Sequence, residues 1–258
     1  MSGLWAEDLS VSLNGRLVLD RIELEIAEGM VSAVIGPNGS GKSTLLRSLA
    51  RIVRPSGGMV RLDGQDLWTL PSRTRAQRIG FLPQAPVAPE GIRVRALVSR
   101  GRTPHQGRFG LLTRADHAAV EAAMAEVGLT PLAQRRVDRL SGGQRQRAWI
   151  ALTLAQQTPI LLLDEPTTFL DPPHQVEILR LLRRLNAETG RTIVMVLHDV
   201  ILASLFADRV IGLREGRLAF VTEPGAALRA DQVEELFGMG MHALPHPTAD
   251  RPVLVPRL

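Results

Sequence analysis

Gly36-Pro37-Asn38-Gly39-Ser40-Gly41-Lys42-Ser43-Thr44 stands between two contrasting stretches. Before it, residues 30–35 form a short apolar run that reads as a buried strand. After it, residues 43–53 are apolar at Leu45, Leu46, Leu49 and Ile52, the spacing of an amphipathic helix. The intervening residues match G-x-x-x-x-G-K-[ST], and the strand-before, helix-after context is the one that pattern requires. Glycines allow successive backbone N–H groups to point into one concavity, and the helix N-terminus adds positive potential. Such a loop cradles phosphates, with Lys42 reaching the β- and γ-phosphates of a nucleotide and Ser43 offering a hydroxyl to Mg²⁺.

Lys42 is the one lysine in a chain with 31 basic residues, the rest being arginine. The net charge of +5 would suit an anionic partner such as nucleic acid, lipid headgroups or nucleotide phosphates. The arginine excess reads first as a coding bias. Against that bias, a lysine is kept where a compact ammonium must fit inside the loop and a planar guanidinium would not. With no cysteine in 258 residues, disulfides and cysteine-based metal sites or catalysis are excluded. The first 20 residues carry Glu7 and Asp8 and no apolar stretch of signal-peptide type. Residues 192–213 are the most hydrophobic, yet they include His198, Asp199, Asp208 and Arg209 and read as strand, turn and helix rather than a membrane span.

Residues 4–13 and 17–26 read as strands joined by the hairpin signal Asn14-Gly15. Strands are also expected at 59–62, 79–82, 160–163, 193–197, 210–213 and 217–221, and helices at 94–100, 114–127, 173–188 and 231–237. Residues 85–139 lack a strong strand and read as a mainly helical insertion. Ser141 is a helix N-cap candidate, opening a helix to about residue 157. The end of the chain is proline-rich, at Pro245, Pro247, Pro252 and Pro256.

Two further motifs carry chemistry. The apolar strand 160–163 ends in Asp164-Glu165: the first carboxylate suits Mg²⁺ and the second is placed to polarise a water. Upstream, Leu140-Ser141-Gly142-Gly143-Gln144 sets two glycines at a helix start. They weaken a helix but let backbone N–H groups approach an anion. The order of phosphate loop, Leu-Ser-Gly-Gly-Gln, paired carboxylates and a histidine after the next strand resembles the ABC ATPase family over nearly the whole chain.

That resemblance implies an α/β fold: a P-loop NTPase core with a mixed sheet, an N-terminal antiparallel β region and an inserted helical subdomain. The organisation expected from it is 1–84 and 159–222 for the two parts of the ATPase core, 85–158 for the helical subdomain with the signature, and 223–258 for a C-terminal tail. Residues 36–44 (Gly36, Pro37, Asn38, Gly39, Ser40, Gly41, Lys42, Ser43, Thr44) then correspond to Walker A. Gln84, after Phe81-Leu82-Pro83, corresponds to the glutamine that senses Mg²⁺ and the γ-phosphate. Ser141, Gly142, Gly143 and Gln144 form the signature that covers ATP held by the opposite subunit. Asp164 and Glu165 correspond to Walker B and the catalytic base, Asp171 to the loop at the dimer interface, and His198 to the switch histidine. Glu165, His198, Lys42 and Gln84 are thus the expected catalytic residues, and Ser43, Gln84 and Asp164 the expected metal-binding ones. One position departs from the pattern. The aromatic that stacks on adenine in this family falls near Leu13 here, Trp5 comes too early, and the chain has no tyrosine. The adenine contact is therefore expected to be weaker or purely apolar.

The resemblance further implies ATP and Mg²⁺ as cofactors and a homodimer of ATPase subunits. Transmembrane permease partners, an indirect link to a substrate-binding protein and a peripheral place on the cytoplasmic face of the inner membrane also follow from it. Residues 145–151, 100–106 and 167–175, with Pro252-Val253-Leu254-Val255-Pro256, are similar to ATPases of ferric-siderophore importers, with haem and cobalamin importers as near relatives. A soluble ABC ATPase acting on nucleic acid would usually carry two cassettes or a long coiled coil. This chain has one cassette and no sustained heptads, so no nucleic-acid partner is expected.

Overall fold

The computed structural model describes residues 3–107, 110–223, 225–245 and 252–257. The chain forms two compact units, one of Met1–Leu70 with Asn186–Leu258 and one of Pro71–Leu185. The first unit begins with β1 (Leu4–Leu13), β2 (Arg16–Ile26), β3 (Val31–Ile35), α1 (Lys42–Leu49), β4 (Gly57–Leu62) and β5 (Gln65–Asp66). The second contains α2 (Ser72–Arg78), β6 (Ile79–Leu82), α3 (Val94–Ser99), α4 (Arg114–Glu126), α5 (Gly142–Ala155), β7 (Ile160–Leu163) and the start of α6 (Pro172–Thr189). The chain then completes the first unit with β8 (Thr192–Val196), α7 (Val200–Phe206), β9 (Arg209–Arg214), β10 (Arg217–Val221), α8 (Ala230–Phe237), β11 (Met241–Leu244) and β12 (Val253–Pro256). No helix among the described residues is long and apolar enough to cross a membrane.

β1 and β2 form the expected hairpin. Asn14 and Gly15 both take positive φ, 49° and 77°, as a two-residue turn matching strand twist demands. β4 pairs with the other side of β1 and β5 with β4, giving an antiparallel sheet of order β2-β1-β4-β5. β3 is buried along its whole length because it lies between two parallel neighbours, β8 and β9. Parallel register puts Val34 opposite Val196, so the loop after β3 and His198 after β8 leave from the same edge. In the second unit β6 and β7 are parallel, with Leu82 opposite Leu163. Gln84 and Asp164-Glu165 therefore also emerge from one edge, and Asp164 N–H donates to Leu82 O at 2.8 Å.

The helices of the second unit bury Val94, Leu97 and Val98 of α3, Val120 and Met124 of α4, and Ile150 and Leu154 of α5. Each such side chain contributes roughly 1.5–3 kcal/mol on full burial. Among them sits a buried ion pair, Arg102 Nε to Asp116 Oδ1 at 2.8 Å.

The end of α1, the helix α2 and the tail differ from the sequence reading. The helix after the phosphate loop ends at Leu49 rather than residue 53. Arg51 takes φ 58°, Arg51 N–H bonds to Ser48 O and Ile52 N–H to Arg47 O, closing the helix as a left-handed C-terminal motif. Ile52 is accordingly 51 % exposed instead of facing the core. α2 has no apolar spacing and no buried residue, which is why periodicity passes over it. In the tail, β11 and β12 pair antiparallel with Met241 opposite Pro256, while Pro247 lies outside the described residues.

Candidate active site

In the first unit, Gly36 leaves β3 at φ 152°, and a Cβ there would lie 2.0 Å from Leu213 O. Only glycine lets the chain turn so close to β9. Ser40 O accepts from Gly216 N–H at 3.0 Å, tying the loop to the β9–β10 turn. α1 then starts from Gly41 with no side-chain cap and no acidic residue in its first turn. A helix cannot satisfy its first N–H groups internally, and an N-terminus without a side-chain cap suits an anion. Lys42 is 5 % exposed and folds over the loop, its Nζ donating to Gly36 O and Pro37 O, both at 2.8 Å. Ser40 Oγ is buried and has no hydrogen-bond partner. A buried hydroxyl left unmatched inside a cradle of N–H groups fits a phosphate ligand, since such groups otherwise cost about 1–3 kcal/mol.

Asn38 and Gly39 are exposed at the tip of the loop, Pro37, Ser43 and Thr44 are half-buried, and His198 is exposed just beyond β8. Asp199, beside it, caps α7 by accepting from Leu202 N–H at 2.9 Å.

In the second unit, Asp164 is fully buried and Glu165 is 7 % exposed. Glu165 takes φ 53°, a left-handed conformation costing roughly 1–2 kcal/mol for a residue with a side chain. Its Oε2 accepts from Gln84 Nε2 at 2.6 Å and from Thr168 Oγ1 at 2.8 Å. Two donors on one oxygen hold the carboxylate in a single orientation. Gln84, which the sequence identifies only through family resemblance, is thereby placed on Glu165. Thr168 was not among the expected site residues; a hydroxyl three positions after a carboxylate carries no signal of its own.

At the start of α5, Ser141 Oγ accepts from Gln144 N–H at 3.3 Å and Gln144 Oε1 accepts from Ser141 N–H at 3.2 Å. This capping box anchors the turn while Gly142 and Gly143 occupy its first two helical positions. A Cβ on Gly143 would come within 3.0 Å of His174 Cδ2. His174 in turn contacts Asp171 through Nδ1, so signature and Asp171 are linked by a residue absent from the expected set. Phe169, between Thr168 and Asp171, is 89 % exposed at φ 64°.

For a divalent cation, Ser43 in the first unit, and Gln84 and Asp164 in the second, are each hard oxygen donors of the kind Mg²⁺ takes. Among the described residues no group of three or more His, Cys, Asp or Glu could hold a metal.

Residues 19–168 match the family model for ABC transporters. The ferric enterobactin transport ATP-binding protein FepC of Escherichia coli (strain K12) is 45 % identical over 253 residues, which cover 98 % of this chain and 93 % of that protein. A metal-chelate type ABC transporter solved in an inward-facing conformation has a chain 29 % identical, with a TM-score of 0.86 covering 100 % of this chain and 98 % of that one. The dimeric bacterial cassette MJ0796 is 28 % identical with a TM-score of 0.76, covering 87 % of this chain and 100 % of that one.

Proposed function

The chain belongs to the ABC transporter family, and we propose that it is the ATP-hydrolysing subunit of an importer that drives iron–siderophore complexes across the cytoplasmic membrane. The observation that carries the hydrolytic part is the Glu165 carboxylate, strained, nearly buried and clamped by Gln84 and Thr168 directly after the Asp164 strand end. A general base needs such fixed orientation to take a proton from water as it attacks in line. The cargo class rests on similarity to the ferric enterobactin protein and to the metal-chelate transporter.

In this reading the N–H groups of residues 36–44 and Lys42 bind the phosphates and stabilise charge on the transferring group. Mg²⁺, when bound, would neutralise β- and γ-phosphate charge. Ser43, Gln84 and Asp164 are the residues to hold it. His198 donates to the γ-phosphate, and Glu165 accepts the proton of the attacking water. Ser141, Gly142, Gly143 and Gln144 serve the nucleotide of a second copy of the chain, with Asp171 at the interface. The dimeric relative supports this pairing.

Residues 85–158 form the part that meets the permease. A cleft of about 290 Å³, lined by Gln84, Pro86, Val87, Trp149, Phe169 and Leu170, offers a membrane-subunit helix an apolar seat beside the catalytic glutamine. The chain would work as a peripheral protein on the cytoplasmic face of the inner membrane, linked through the permease to a substrate-binding protein.

The test is ATP turnover by wild type and Glu165→Gln, with gel filtration in MgATP. Magnesium-dependent hydrolysis that falls at least about 100-fold in the variant, together with an ATP-trapped dimer, is the expected result. Equal hydrolysis by both proteins would remove Glu165 from the role of base.

A further inference from the structure

We propose that the nucleotide base is held by an aromatic from the C-terminal helix, Phe237, in a cleft that Arg16 and Leu17 also line. This rests on the reading of the phosphate loop as an ATP site and adds the residue that reads the base.

The chain has no tyrosine, and Leu13, where the sequence pattern would put a stacking aromatic, does not line the cleft beside the loop. That cleft, of about 760 Å³, runs from residues 37–40 of the phosphate loop to Arg16 and Leu17 at the start of β2 and to Leu236 and Phe237 at the end of α8. Phe237 is its only aromatic among the described residues. Three other aromatics are engaged elsewhere. Trp5 pairs with Glu25 and Arg61 inside the sheet, Trp68 lies under Arg51 and Arg54, and the Phe220 ring packs on Gly212.

α8 is a firm mount for the ring. Val233 and Leu236 are buried, Gly238 ends the helix at φ 69°, and the Arg214 guanidinium donates to Glu235 O, fixing the last turn to the β9–β10 turn. That turn also bonds the phosphate loop through Gly216 N–H and Ser40 O. One rigid chain of contacts therefore sets the spacing between ring and phosphate cradle. In the same lining, Leu17 is 53 % exposed and Arg16 is exposed. A flat π system entering the cleft would cover the exposed leucine, stack on the phenyl ring and meet a planar guanidinium.

Calorimetric titration of the full chain with ATP and with inorganic tripolyphosphate separates base from phosphate recognition. Phe237→Ala is expected to weaken ATP binding about tenfold while leaving tripolyphosphate within about twofold. Phe237→Trp, which keeps a stacking face, should retain wild-type ATP affinity. Equal weakening of both ligands by Phe237→Ala, or weakening of neither, overturns the proposal. A wild type that binds ATP no better than tripolyphosphate keeps the phosphate site and overturns the base cleft. A wild type that binds neither ligand overturns both.

Discussion

The helices α1 and α5 both begin at motifs suited to phosphate, yet they finish their first turns in opposite ways. α1 starts at a bare glycine, with no capping side chain, a buried hydroxyl without a partner and a lysine folded over the loop's own carbonyls. α5 starts with a complete Ser141–Gln144 box and closes its first turn on itself. The first terminus has no side-chain cap at the place where its own nucleotide would complete it. The second is already stable and offers only the N–H groups of Gly142 and Gly143. That difference suits a site whose phosphate loop works within one chain and whose signature must keep its shape until a second chain brings the nucleotide. α4 supplies a third case, a capping box of Thr113 and Asp116 whose acid also pairs with buried Arg102. It is a cap with a structural role alone.

The largest effect is expected at that purely structural terminus. Asp116 lies well below the usual carboxylate range, first because Thr113 N–H donates to it, then through the Thr113 hydroxyl and the Arg102 guanidinium. Asp116→Ala strands a buried guanidinium and should cost about 3–5 kcal/mol in denaturant unfolding. The sign with pH follows from the lowered value. The stabilisation is fully present above about pH 4, where a free aspartate is ionised, and is lost as pH falls through the folded value. Wild type should therefore lose stability on acidification with a component that Asp116→Asn lacks. Matching pH profiles for the two proteins would show that the pair contributes nothing.

At the ligand-completed terminus the effect should fall on chemistry. Lys42→Arg keeps the charge but cannot place a compact ammonium within 2.8 Å of both Gly36 O and Pro37 O. ATP turnover is expected to fall about 10²–10³-fold, the range for losing one preorganised donor, with unfolding midpoints little changed. Turnover retained within about threefold would show that any cation serves there.

How much of this was legible in the sequence divides along the same line. β3, the phosphate loop and α1 declare themselves because glycine, lysine and apolar spacing each answer to a local physical need. Asp164 and Glu165 are legible as a strand ending in acids, but the left-handed backbone of Glu165 is not. Gln84 is visible only by resemblance, since two residues after a strand mean nothing until Glu165 is folded beside it. Thr168 and His174 are invisible for the same reason: their roles come from contacts formed when the loop after β7 turns onto α5. Ile52 was misplaced because spacing continues past a helix that its own backbone closes at Arg51. In the C-terminal tail the helix at 231–237 is legible, but the β11–β12 pairing is not, nor is it legible that the last residue of that helix lines a cleft more than 190 positions from the loop in sequence.

Ser141 separates the two uses of the α5 terminus with the smallest changes. Ser141→Ala removes the acceptor for Gln144 N–H and should cost about 1 kcal/mol of stability. Ser141→Asp keeps a good N-cap acceptor, and its charge favours the helix terminus, so stability should hold or rise slightly. In the proposed dimer the same carboxylate would meet a partner's γ-phosphate, and like charges brought together there cost binding. Turnover at saturating ATP should then fall at least about tenfold in Ser141→Asp, with nucleotide affinity of the isolated chain unchanged because its own phosphate loop is intact. An aspartate variant as active as wild type would mean that Ser141 and its glycines cap a helix and nothing more. An alanine variant that loses both stability and turnover in proportion would place the cap's role in shape alone. Only the split, stability kept and turnover lost, assigns the α5 terminus to an anion that another chain delivers.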